Sequence, residues 1–148
     1  NINSQDIEVN YGHKKILIVD DNKLNLKVAR KALANFNFTI DEAESGSECL
    51  NKVTINNYDL ILMDIMMPEM NGVETLRKLK ENPDFKTPVI ALTADAISGA
   101  KEKYLSDGFI DYLSKPFNRE QIKQKLDIIF NPIQQNKFKQ GVTNEINN

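Results

Sequence analysis

The sequence has no tryptophan, one cysteine and one histidine, and no apolar run approaching the ~20 residues a membrane-spanning helix needs. Each shortage removes a class of chemistry. Cys49 alone can form neither an internal disulfide nor a thiolate cluster for zinc. With His13 as the only imidazole, zinc hydrolases, His-based acid–base catalysts and Ser-His-Asp triads lose their usual parts. Neither sign of charge dominates. Nineteen basic against 21 acidic residues give −2, which argues against a domain that grips nucleic acid by bulk charge. No basic segment followed by an apolar one opens the chain, so no secretory signal is visible. What is present suits one domain with a real core: 148 residues, 41% of them hydrophobic, too apolar for a disordered chain. Its chemistry has to come from carboxylates, hydroxyls and lysines.

Residues 1–13 and 131–148 are polar and irregular and read as linkers or tails around a segment from Lys14 to Phe130. A start at Asn1 rather than Met suggests a piece of a longer protein. Within the segment, Ile16–Val19, Leu60–Met63 and Val89–Leu92 are unbroken apolar runs, the pattern of parallel strands covered on both faces. Thr39–Ala43 and Phe109–Leu113 are more mixed and suit strands nearer the sheet edges. Helical patterns fall between them. Leu24, Val28 and Ala32, flanked by Ala29, Leu33 and Phe36, suggest the buried stripe of a first helix. Ser45 with Glu48 and Asn71 with Glu74 resemble capping boxes. The helices they open would bury Cys49, Leu50 and Val53, and Val73, Leu76 and Leu79. Ala96, Ile97, Ala100 and Tyr104 suggest a fourth helix. Asn118 with Gln121 opens a fifth, with Phe117 placed to staple against Ile122, and Leu126 and Ile129 continuing its face. Five β-α units with right-handed crossovers make a doubly wound α/β sandwich, whose functional crevice lies at the carboxyl ends of the strands.

Those strand ends carry the chemistry. Asp20-Asp21 follow the first, Asp64 ends the third, Thr93 the fourth, and Lys115-Pro116 follow the fifth. Three carboxylates gathered in one crevice repel one another and raise one another's pKa, and a hard divalent cation such as Mg²⁺ relieves that strain. A lysine opposite the cation suits a phosphoryl group, whose transfer needs charge neutralisation and in-line placement. The carboxylate between them would be the nucleophile. Asp64 is the best candidate, because it ends the central run and precedes a loop containing Pro68 and Gly72.

Four stretches, Ile16–Asn22, Met63–Gly72, Ala91–Ala94 and Asp111–Phe117, together resemble the receiver domain of two-component response regulators, over nearly all of Lys14 to Phe130. The resemblance implies a flavodoxin-like (βα)5 fold with five parallel strands in the order 2-1-3-4-5. It implies that Asp64 is the phosphoacceptor and that Asp20, Asp21 and Asp64 bind Mg²⁺, or Mn²⁺ as an alternative, with the backbone carbonyl of Met66 as a further ligand. Thr93 and Lys115 would contact phosphoryl oxygens, Tyr112 would be the switch aromatic, and the Lys115-Pro116 bond would be cis. A histidine kinase or histidine phosphotransfer domain would donate the phosphoryl group. Thr93 would then move toward it and Tyr112 turn inward, shifting the surface of the fourth helix, fifth strand and fifth helix. The domain would catalyse its own phosphorylation and dephosphorylation without being a turnover enzyme.

The details around Asn22, Asn25, Val28-Ala29 and Met67–Gly72 look most like receivers of hybrid sensor histidine kinases, so the parent chain would itself be a kinase. A stand-alone or effector-linked regulator and a non-phosphorylated interaction module are the alternatives. The family also implies a cytoplasmic domain that touches neither nucleic acid nor membrane directly, with a weak homodimer as an option. An aspartyl phosphatase on a related fold is disfavoured, because such enzymes usually carry a second acid where Met66 stands. Blander readings apply residue by residue: Asp20-Asp21 as a helix N-terminal region, Thr93 as a cap, Tyr112 as an edge aromatic, Cys49 and the methionines as packing. The basic residues Lys23, Lys27, Arg30 and Lys31 make a solvated face of the first helix, or a docking face for a phosphotransfer partner.

Overall fold

The computed structural model describes residues 10–95 and 97–131. The remainder of both expected tails, and Ala96 of the expected fourth helix, lie outside the described residues. Ten elements alternate along the chain: β1 (Lys15–Val19), α1 (Lys23–Leu33), β2 (Thr39–Ala43), α2 (Gly46–Ile55), β3 (Leu60–Asp64), α3 (Gly72–Leu79), β4 (Val89–Thr93), α4 (Ala100–Asp107), β5 (Asp111–Ser114) and α5 (Arg119–Phe130). The strands form one sheet in the order β2-β1-β3-β4-β5, with every neighbouring pair parallel. The flavodoxin-like order expected from the sequence is therefore observed.

Side chains alternate across each strand, so the unbroken runs feed two cores. Ile16, Ile18, Leu60, Leu62, Ile90 and Leu92 face α1 and α5, where Leu33, Phe36, Ile122 and Leu126 meet them. Leu17, Val19, Ile61, Met63, Val89 and Ala91 face the other way, toward Cys49, Leu76, Leu79 and Tyr104. Each fully buried aliphatic side chain contributes about 1.5–3 kcal/mol relative to exposure, and the three central strands are buried almost throughout.

Local chemistry starts the helices where it should. The Asn22 side chain accepts from the N–H groups of Leu24 and Asn25, and Ser45 accepts from Glu48. Asn71 with Glu74 and Asn118 with Gln121 form reciprocal capping boxes, which satisfy donors that a helix start otherwise leaves orphaned.

Five details differ from the sequence reading. At α2 the Glu48 carboxylate accepts from the Glu44 N–H rather than that of Ser45, so the expected capping box is half formed. In α1 the buried residues are Leu26, Ala29, Ala32 and Leu33, while Leu24 is 66% exposed and Val28 37%. Helix α4 begins only at Ala100, after Gly99 at φ 85°, and Ile97 is exposed. Strand β5 runs from Asp111 rather than Phe109, whose ring instead lies edge-on beneath Tyr104. Tyr11, which falls in the expected N-terminal tail, is buried, stacked on Phe38 at 5.0 Å and against Phe130 at 5.3 Å.

Candidate functional site

The carboxyl ends of β1, β3 and β4 bring Asp20, Asp64 and Thr93 into one crevice, and the turn after β5 adds Lys115. Asp20 and Asp64 are each only 1% exposed, whereas Asp21 points to solvent. Carboxylate oxygens of Asp20, Asp21 and Asp64 lie within 4.8 Å of one another. The Lys115 Nζ bridges two of them, donating to Asp64 Oδ1 at 2.9 Å and Asp20 Oδ2 at 3.2 Å. Backbone and amide donors add to this on one oxygen of each carboxylate. The Asn22 N–H reaches Asp20 Oδ1 at 3.0 Å, the Asn25 side-chain amide the same oxygen at 3.3 Å, and the Met66 N–H reaches Asp64 Oδ1 at 3.2 Å. Met66 stands two residues past Asp64 with its side chain exposed, and the Lys115–Pro116 peptide is cis.

One ammonium for two buried carboxylates leaves the site over-supplied with negative charge. Burial lifts the Asp64 carboxyl to about 6; the hydrogen bond from Lys115 opposes this and the neighbouring Asp20 charge adds to it. For Lys115, burial acts downward, but its bond to Asp64 and the charges of Asp20 and Asp64 prevail and raise its pKa. Hard oxygen donors, an unneutralised charge and an exposed third carboxylate match what a divalent cation such as Mg²⁺ requires. The residues fit such an ion.

The loop after β3 is pinned by Gly72, whose N–H donates to the Ile65 carbonyl at 2.9 Å. A Cβ there would stand 2.4 Å from the Asp64 carbonyl oxygen, so only glycine lets α3 start this close behind Asp64. Thr93 is held by its own surroundings. Its hydroxyl donates to the Asp95 carbonyl at 3.1 Å and accepts from the Asp95 N–H and the Tyr104 hydroxyl, each at 3.1 Å. Tyr112 is half-buried on β5, its ring 5.8 Å from that of Tyr104 and its face near Lys125 Nζ. The sequence reading placed Tyr104 only on a helical stripe and missed its bond to Thr93.

The family model of the response regulator receiver domain matches residues 16–127. The chain belongs to that family. Its receiver-domain relatives include the signal transduction histidine-protein kinase BarA of Escherichia coli, 38% identical over 112 residues that cover 75% of this chain but 12% of BarA. The transcriptional regulatory protein ResD of Bacillus subtilis is 40% identical over 108 residues, covering 73% of this chain and 44% of ResD. The chain thus spans under half the length of either. Among solved structures, the receiver domain of sensor histidine kinase PA1611 from Pseudomonas aeruginosa superposes with a TM-score of 0.68 at 32% identity, over 77% of this chain and 94% of that one, and it holds a magnesium ion in its active-site cleft. As a receiver domain this chain is a module of two-component signal transduction. No helix among the described residues is long and apolar enough to cross a membrane.

Proposed function

We propose that this receiver accepts a phosphoryl group on Asp64 from a phosphohistidine of a kinase or phosphotransfer partner. The observation that carries the reading is the Lys115 ammonium lodged between two buried carboxylates, 2.9 Å from Asp64 and 3.2 Å from Asp20, with Asp21 alongside. In the transfer, an Asp64 oxygen lone pair forms the new O–P bond while the P–N bond breaks and its electrons return to the imidazole nitrogen. Asp20, Asp21 and the Met66 carbonyl would hold Mg²⁺, with Mn²⁺ as a substitute. When bound, the ion neutralises charge on the transferring phosphoryl oxygens.

The chain's own residues do the rest. The Met66 N–H and Lys115 orient the Asp64 carboxylate, and Lys115 pairs with a phosphoryl oxygen once the negative charge has moved outward. Thr93 supplies a hydroxyl to another oxygen, and Tyr112 follows the rearrangement of the β4–α4 loop. The result is a shift between two surface states rather than turnover. The likeness to BarA supports a parent chain that is a hybrid sensor histidine kinase, and the likeness to ResD supports the alternative of an effector-linked regulator.

The test is intact-protein mass spectrometry after incubation with Mg²⁺ and acetyl phosphate. A single labile phosphoryl adduct in wild type, absent in Asp64→Asn, is the expected result. An adduct that persists in Asp64→Asn would move the acceptor elsewhere, and none under any condition would favour an interaction module.

A further inference from the structure

Among the described residues, the Tyr104 hydroxyl is the one partner of the Thr93 hydroxyl that comes from a helix. A threonine hydroxyl offers one proton and two acceptor positions. Here all three are taken: the proton by the Asp95 carbonyl, the lone pairs by the Asp95 N–H and Tyr104 O–H. A saturated hydroxyl cannot also donate toward Asp64. To do so it must withdraw its proton from the Asp95 carbonyl and turn, which disrupts the bond from Tyr104.

Tyr104 is itself well placed to sense that loss. Its ring is gripped edge-on by Phe109 at 6.1 Å and lies 5.8 Å from the Tyr112 ring. It borders an open groove with Met66, Ala94, Asp95, Ile97 and Lys103, so water there can replace Thr93 as the acceptor of its proton.

Resting on the phosphoacceptor reading above, we infer that Tyr104 is a positioning residue: its hydroxyl holds Thr93 on the β4–α4 loop in the free domain and ties α4 to the state of the Asp64 site. The bond favours the Thr93 orientation that donates to Asp95, so it opposes a turn of the hydroxyl toward Asp64. A neutral hydrogen bond of ordinary net strength corresponds to about a two- to tenfold change in an equilibrium constant.

Tyr104→Phe removes the hydroxyl and keeps the ring against Phe109 and Tyr112. The probe is beryllofluoride with Mg²⁺, a mimic of the phosphoryl group, titrated into the whole chain and followed by amide NMR. Wild type should form the adduct and Asp64→Asn should not. Tyr104→Phe should bind about two- to tenfold tighter, and its free-state amide signals at Thr93, Asp95 and Ala100 should lie displaced along the line joining wild type free and bound. In a Thr93→Ala background the same substitution should change affinity little. Unchanged or weaker binding in Tyr104→Phe, or a gain that survives in Thr93→Ala, overturns the inference while leaving the Asp64 reading intact. A wild type that binds no beryllofluoride overturns both.

Discussion

Asp64→Asn in Mg²⁺-free buffer should stabilise the fold at neutral pH. The folded-state pKa of Asp64 is raised from 3.8 to about 6, first by burial and then by Asp20, against the pull of Lys115. For an acid with a raised folded pKa the sign runs against stability: below about pH 4 the carboxyl is protonated folded or unfolded, and nothing is lost. Between pH 4 and 6 the unfolded chain ionises and the folded one resists, so stability falls with rising pH and stays low above 6. At about 1.4 kcal/mol per pH unit, the gap from 3.8 to about 6 is worth about 3 kcal/mol. Asparagine stands in for the neutral acid at every pH, although it leaves Lys115 with Asp20 as its remaining carboxylate. Urea melts of both proteins in EDTA, at intervals from pH 4 to 7.5, measure the difference. It should grow in favour of the variant by about 1–3 kcal/mol across that range. Saturating Mg²⁺ should then stabilise wild type, by about 2.7 kcal/mol at a hundredfold excess over the dissociation constant, and the variant less. A stability difference that is flat from pH 4 to 7.5 would refute the reasoning.

Three further outcomes are expected. Gly72→Ala drives a Cβ into the Asp64 carbonyl oxygen; it should cost about 1–3 kcal/mol in urea melts and slow acetyl phosphate labelling by displacing Asp64. Asn118→Ala removes half of a capping box on α5 and should lower the urea midpoint by the equivalent of about 1 kcal/mol with an unchanged slope. Tyr58→Phe deletes a 2.6 Å hydrogen bond to Asp41, the leading cause of that carboxyl's lowered pKa. A lowered acid pKa contributes stability above its unfolded value and loses it as pH falls through the folded one. The deficit of Tyr58→Phe should therefore be present at pH 7 and shrink below about pH 4; a deficit constant with pH would refute it.

The central strands were legible because parallel strands buried on both faces leave no polar residue to blur the run, as in Leu60–Met63. Asp20, Asp64, Thr93 and Lys115 were legible as a group because each stands at or just past a strand's carboxyl end, where the doubly wound fold gathers side chains. Helix α1 was harder: Ala29, Ala32 and Leu33 do face the core, but Leu24 and Val28 extended the stripe onto the wrong flank, since an apolar side chain can lie in solvent as easily as in a core. Tyr11 was unreadable among polar neighbours, because what buries it, Phe36, Phe38 and Phe130, comes from distant parts of the chain. The Tyr104–Thr93 bond joins residues 11 apart across a loop of irregular path, and no periodicity announces such a contact.

The aromatic cluster around Tyr11 has a consequence for how such a module travels. The Asn131 side-chain amide donates to the Tyr11 hydroxyl at 3.0 Å, and Lys14 Nζ sits 4.7 Å over the Phe130 ring, so entry and exit of the folded unit are stitched side by side. A unit that leaves where it enters can be spliced between neighbours without forcing them apart. Such a unit can be carried as a cassette within longer chains, as in its much longer relatives BarA and ResD, with the crevice at the opposite end of the sheet undisturbed by the joint.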